Sequence, residues 1–263
     1  MVSPMDLVRT ATVAGVTTVT LDSPANRNAL STPLMKQLLE ALSAALTDPA
    51  VRAVTLSHTG PVFCSGADLK ETAEARASGR VPAELLADVL AALWEFPKPV
   101  VCRVAGPARA GGLGLIAAAD IAVCVREATF AFTEVRLGVI PAVISATVLP
   151  RLGSRAAAEL YLTGEVFDGV RAAEVGLVTK AVPAEGLEAT VAAYCEALVR
   201  GGPLALAGAK QLLRRTPAPS IRAELAELSE RSGAYFRSAE GTEGVDAFRE
   251  KRPASWVPSP REV

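Results

Sequence analysis

Glu134 is the acidic residue of this sequence best placed for proton transfer. It follows Thr129, Phe130, Ala131, Phe132 and Thr133 and precedes Val135, and apolar neighbours of that kind strip water from a carboxyl group and raise its pKa. A glutamate after such a run also suits the exposed end of a strand, so its position alone leaves both roles open. Two glycine-bearing turns offer complementary chemistry. Gly106, Gly111, Gly112 and Gly114 follow the strand-like stretch Pro99–Ala105, and Gly60 and Gly66 follow Val54–Ser57. Glycine at a strand-to-helix turn lets backbone N–H groups approach a ligand with no side chain between them. Gly112, Gly114 and Ala117 satisfy a dinucleotide-binding spacing. They start well after the apparent strand end, however, and no acidic residue ends a second strand at the required distance, which argues against that use. A purely structural glycine turn is the other alternative.

Other chemistries narrow quickly. The single histidine, His58, leaves no His-rich metal site and no HExxH pair, and a Ser-His-Asp triad would have to use it. It has no assigned role and reads as a loop residue between Ser57 and Gly60. Cys64, Cys102, Cys124 and Cys195 lie far apart without a CxxC pair, as expected for buried thiols in a reducing cytoplasm. A net charge of −1 gives no nucleic-acid footprint. Apolar runs are broken by Asp120, Arg126 or glycine before a membrane could be spanned, and Met1–Asp6 does not read as a signal peptide. The expectation is a cytoplasmic protein without a metal or redox cofactor.

The elements that must position these residues alternate between strand and helix. Arg9–Val13 and Val16–Leu21 are Val- and Thr-rich and flank Ala14-Gly15, which predicts a hairpin. Thr32 as cap and Pro33 in the first turn predict a helix over Leu34–Leu46. Strands are predicted at Ala53–Ser57, Pro99–Val104, Asp120–Val125 and Thr129–Phe132, with a helix over Val81–Phe96 and another opening at Leu113. From Ser154 helices dominate: Arg155–Tyr161, Leu187–Val199, Leu204–Arg215, Ile221–Phe236 and Gly241–Glu250. This pattern predicts an α/β core over residues 1–200 and an all-helical region over 201–263, after the break at Gly201-Gly202-Pro203.

Three signatures then coincide. They are Leu21–Leu30, the Phe63–Glu71 stretch FCSGADLKE, and Gly106–Asp120, and together they resemble the enoyl-CoA hydratase/isomerase (crotonase) superfamily. The resemblance continues through Phe130–Pro141, Leu160–Glu165, Ala172–Val178 and Ala247–Pro253, nearly the whole chain in order. It implies a ββα spiral core, a C-terminal helical region used for trimerisation, and an acyl-CoA thioester as partner, in a homotrimer or dimer of trimers. It assigns two backbone N–H groups, those of Ala67 and Gly111, to an oxyanion hole for the thioester carbonyl, and acid–base work to Glu134. For CoA it implies Ala25, Arg27, Ser65, Ala67, Asp68 and Leu69, with Phe248 and Lys251 contributed by an adjacent subunit. Acyl-pocket walls are expected from Leu85, Leu86, Val89, Leu90 and Ile140.

One position departs from the pattern. Classical hydratases of the superfamily carry a second glutamate where this chain has Gly114. The strings GGLGL and FTEVRLGVIPAVIS are most similar to a single-glutamate bacterial branch that includes methylglutaconyl-CoA hydratases. Hydration of a trans-2-enoyl-CoA is the favoured expectation. A double-bond isomerase and an inactive acyl-CoA-binding relative are the alternatives. Arg109 is expected to be either a surface cation or a partner for a substrate carboxylate.

Overall fold

The computed structural model describes residues 6–68, 70, 71, 73 and 83–258. Strands β1 (Val8–Val13) and β2 (Val16–Leu21) form the expected hairpin. Ala14 and Gly15 both take positive φ, 48° and 79°, the geometry of a two-residue turn whose twist matches the strands it joins. Parallel strands then add in the order β2, β3 (Ala53–His58), β4 (Val100–Val104), β6 (Ile121–Val125) and β9 (Lys180–Val182). Every residue of β3 is buried, as a central parallel strand covered on both faces requires. The sequence reading of His58 as a loop residue is therefore corrected: it is the last residue of β3, is 6 % exposed, and accepts the Ala105 N–H on Nε2 at 3.0 Å. Burial lowers its pKa, so it is a neutral strut between β3 and the end of β4.

Helices cover this sheet. They are α1 (Thr32–Thr47), α2 (Ala83–Trp94) and α3 (Gly111–Ala118). Next come α4 (Ala142–Val148), α5 (Ser154–Thr163), α6 (Gly169–Glu174) and α7 (Leu187–Val199). The cap of α1 is Ser31, whose Oγ accepts from Leu34 N, and not Thr32. Thr32 is engaged elsewhere, its N–H and hydroxyl both donating to Glu71 Oε2 at 2.8 Å. Helix α3 begins two residues before the expected Leu113, and the strand predicted to reach Phe132 stops at Ala131.

A second, three-stranded sheet comprises β5 (Ala108–Arg109), β7 (Thr129–Ala131) and β8 (Phe167–Asp168). Three long helices follow the core: α8 (Pro203–Arg214), α9 (Ile221–Arg237) and α10 (Ala239–Glu250). Helix α10 starts before the expected Gly241 because Ser238 Oγ accepts the Gly241 N–H at 2.9 Å and caps it earlier. Arg52 joins the core to this region, donating to Gly201 O at 2.7 Å and Trp256 O at 2.8 Å. Among the described residues no helix is long and apolar enough to cross a membrane.

Candidate active site

Three parallel segments lie side by side in matched register. Cys64 pairs with Ala108, and Ala108 pairs with Phe130. Parallel neighbours end on the same side, so the residues that follow them emerge together. Ala67 comes three residues after Cys64, Gly111 three after Ala108, and Glu134 four after Phe130. The ladder thus delivers both oxyanion candidates and the acid candidate to one edge. A fourth segment joins through the Leu30–Ala67 bridge, with Leu30 N donating to Gly66 O at 2.8 Å.

Close backbone approach makes this possible. A Cβ on Gly112 would stand 2.8 Å from Cys64 Cβ and 3.0 Å from Cys64 O, and one on Gly66 would stand 2.9 Å from Ala110 Cβ. Gly66 also has φ of +92°, which side chains resist. Among the described residues neither the Ala67 nor the Gly111 amide has a hydrogen-bond acceptor. Gly111 is the first residue of α3, so the positive end of that helix dipole supports its N–H. Ala110 takes φ 47°, ψ −118°, a conformation costly for a residue with a Cβ, by about 1–3 kcal/mol. That ψ sets the plane of the peptide whose N–H belongs to Gly111. Strain at this one residue orients the donor, and alanine gave no warning of it in the sequence.

Glu134 lies in a 3₁₀ turn, Thr133–Leu137, and is half-buried. No donor among the described residues reaches its buried Oε2. Burial, only partly offset by its own backbone N–H, holds the carboxyl above the ordinary glutamate range. The folded protein therefore binds this proton more readily than the unfolded chain, and stability is lost as pH rises from the ordinary value through the raised one. Glu134→Gln is expected to melt higher than the unmodified protein near neutral pH. That advantage should vanish below the ordinary carboxylate range, as thermal melts across pH will show.

The place of a second acid is closed. A Cβ on Gly114 would lie 2.7 Å from Ile144 Cγ2, 3.1 Å from Ile144 Cβ and 3.3 Å from Leu90 Cδ1. Thr147 Oγ1 donates to Gly114 O at 3.1 Å and fixes α4 against α3 there. Leu86, with Leu30, stands over Gly111. Val89 and Leu90 are buried core residues, whereas Ile140 is 75 % exposed. Tyr161, given no site role by the sequence, packs on Phe132 at 4.5 Å between ring centroids and reaches Ser145 Oγ at 3.4 Å. Burial, and secondarily the Glu134 charge, raise its pKa, so it stays a neutral phenol near the acid.

The remaining expected residues are placed as follows. Ala25 and Arg27 are exposed in and after the 3₁₀ turn Pro24–Asn26, and Arg27 O accepts the Ser65 N–H at 3.0 Å, so the two segments adjoin. Asn28 holds them there: it is fully buried, accepts from Ser23 N, and donates to Thr59 O and Val62 O. Its signal was an asparagine in a tight turn, where left-handed φ is tolerated. Asp68 Oδ1 accepts the N–H groups of Lys70 and Glu71. Leu69 lies outside the described residues. Arg109 is no surface cation: its guanidinium donates to Ala108 O, Thr129 O and Thr129 Oγ1, clamping β5 to β7. Those bonds use three of the five N–H donors of the guanidinium and fix its place in the second sheet. Phe248 is 85 % exposed on a groove of about 390 Å³ whose other walls include Tyr235, Val245 and Trp256. Lys251 is the left-handed residue ending α10. Neither lies beside Ala67 or Gly111 in the described contacts of this chain.

Two unpartnered amides and a desolvated acid on neighbouring segments form an arrangement that can polarise a carbonyl and move a proton beside it. The sequence profile of the enoyl-CoA hydratase/isomerase family matches residues 11–258, and the chain belongs to that family. It is 32 % identical over 239 residues to the 2,3-dehydroadipyl-CoA hydratase of Escherichia coli K12, covering 89 % of this chain and 92 % of that one. Among solved structures, Pseudomonas aeruginosa AtuE superposes with TM-score 0.90 at 33 % identity, covering 96 % of this chain and 100 % of that one. An enoyl-CoA hydratase from Mycobacterium avium gives 0.73 at 43 %, covering 96 % and 99 %. The fold is that of the crotonase superfamily, as the motifs led us to expect.

Proposed function

We propose that the protein is a hydratase-type lyase that adds water across a trans-2-enoyl-CoA to give the 3-hydroxyacyl-CoA. The observation that supports this reading is the matched Cys64–Ala108–Phe130 register of the three segments that run on to Ala67, Gly111 and Glu134. In the forward reaction the Glu134 carboxylate takes one proton from water as its oxygen bonds to C3. Electrons of the C2–C3 double bond shift onto the thioester oxygen, where both amides stabilise the enolate. The proton held by Glu134 then passes to C2, and the carboxylate is restored. A raised pKa suits an acid that must both take and return a proton near neutrality.

The finer reading is a short or branched, methylglutaconyl-like acyl group, handled by a single glutamate with Gly114 at the second acid's place. Ala25, Arg27, Ser65, Asp68 and Leu69 would line the CoA, with Phe248 and Lys251 from a neighbouring subunit of a trimer or paired trimers. The buried free thiols suit a cytoplasmic setting, with Cys64 pushed up to about 12.

Packing of Ile144 against Gly114 favours one rival, a Δ3–Δ2 enoyl-CoA isomerase, because moving a double bond needs only one proton-shuttling group. Crotonyl-CoA, methylglutaconyl-CoA and a β,γ-enoyl-CoA should be supplied separately while the 2-enoyl absorbance is followed. Hydration removes that absorbance with either of the first two, and isomerisation creates it from the third. Absorbance that rises with the β,γ-ester while both 2-enoyl esters persist would replace the hydratase reading by the isomerase. No change with any ester would leave an acyl-CoA-binding protein.

A further inference from the structure

We infer that Arg151 is a positioning residue for the oxyanion site, and that it ties the far end of α3 to the C-terminal helix α8. This rests on the reading of Gly111 as an oxyanion donor. Every residue of α3 is buried, so water cannot satisfy the carbonyls at its last turn, which have no partner inside the helix. Arg151 supplies the missing donors from the loop after α4. Its Nε donates to Ala117 O at 3.0 Å and its second amino group to Ala119 O at 2.8 Å. One fixed guanidinium fork thus grips two carbonyls at the negative end of the helix dipole.

The fork is itself held. Its Cζ lies 4.9 Å from the centre of the Trp94 ring, and Arg214 Cζ lies 4.5 Å from the same ring. Asp120, immediately beyond the helix, balances the paired cations. One of its oxygens accepts from Arg214 at 2.6 Å, while the other takes Lys210 at 2.6 Å and the Val100 N–H at 2.8 Å. Lys210 also donates to Lys98 O at 2.9 Å. Lys210 and Arg214 both belong to α8. Trp94 ends α2, whose Leu86 and Leu90 stand against Gly111 and Gly114 on the same helix. Helix α3 is therefore held along its length by α2 and gripped at its end by Arg151.

Eight helical residues make a rod of about 12 Å, short enough that an axial shift at Ala117–Ala119 is transmitted to Gly111. Displacement of a reacting group by about 1 Å can cost up to roughly 10²-fold in rate. The test uses carbonyl-labelled butyryl-CoA, a saturated thioester that cannot add water, and reads its carbonyl stretch by infrared difference spectroscopy. Bound to the unmodified protein, the stretch should fall below its free value, because two N–H donors weaken the C=O bond. In Arg151→Met most of that fall should be lost. Turnover of crotonyl-CoA should drop about tenfold with KM little changed. Arg151→Lys keeps the cation but cannot fork, and should recover only part of both; it also carries the test if the Met variant does not fold. Folded variants with the full shift and full turnover would overturn the inference. A free-like carbonyl stretch in the unmodified protein would instead remove the oxyanion reading, and this inference with it.

Discussion

Glu134→Gln should reduce crotonyl-CoA hydration by about 10²- to 10⁴-fold while leaving thioester binding close to that of the unmodified protein. Gln matches the shape of Glu but can neither take nor return a proton, and the half-buried turn has no other carboxylate to substitute. Gly114 cannot supply one, since Ile144 and Leu90 fill the space a side chain there would need. Tyr161 is a phenol whose pKa is raised, so it is a poor base near neutrality. The loss should appear in kcat, because the carboxyl acts on atoms that react and the amides retain the carbonyl. Isothermal titration with butyryl-CoA reads binding, and the 2-enoyl absorbance reads turnover. A Gln variant that hydrates at the unmodified rate would remove Glu134 from the mechanism.

Gly112→Val should be the next most damaging single change, lowering turnover about 10²-fold and stability by about 1–3 kcal/mol. The added Cβ would meet Cys64 O at 3.0 Å, and that carbonyl accepts the Arg109 N–H at 3.0 Å. This hydrogen bond belongs to the ladder that spaces Ala67 from Gly111, so the new side chain pushes the two donors apart. The three nearest atoms all belong to Cys64, and two of them, Cβ and the carbonyl oxygen, are fixed by the backbone and cannot rotate away. Gly153→Ala is the matched control, because nothing lies within 4 Å of its added Cβ. Steady-state kinetics with a thermal melt separates the two effects. Unmodified turnover in Gly112→Val would show that the ladder does not set the donor spacing.

Much of this site was legible before any coordinates. The phenylalanines beside Glu134 marked it as a candidate acid while leaving its role to the family resemblance, and Gly66, Gly111 and Gly112 stood out by clustering at strand ends. The long strands and amphipathic helices followed from periodicity, with boundaries displaced by a residue or two where a cap such as Ser31 or Ser238 intervened. What stayed hidden was non-local. Strands of two residues, β5 and β8, carry no readable period, so the register aligning Cys64, Ala108 and Phe130 could not be seen. Arg109 and His58 were misjudged because Thr129 and Ala105, which engage them, lie in segments distant in sequence. The strained Ala110 is invisible because alanine has no preference for positive φ. Arg151, Arg214, Asp120 and Lys210 read as scattered charges until folding sets the two arginines on Trp94 and pairs Asp120 with Arg214 and Lys210.

In the proposed mechanism the Ala67 and Gly111 amides share one thioester oxygen while Glu134 faces the carbons beside it. A crystal structure with acetoacetyl-CoA bound tests this most directly. The thioester oxygen should lie about 2.7–3.1 Å from both amide nitrogens, with a Glu134 carboxylate oxygen over C2 and C3. A thioester oxygen bound by other groups, or a Glu134 carboxylate turned away from those carbons, would contradict it.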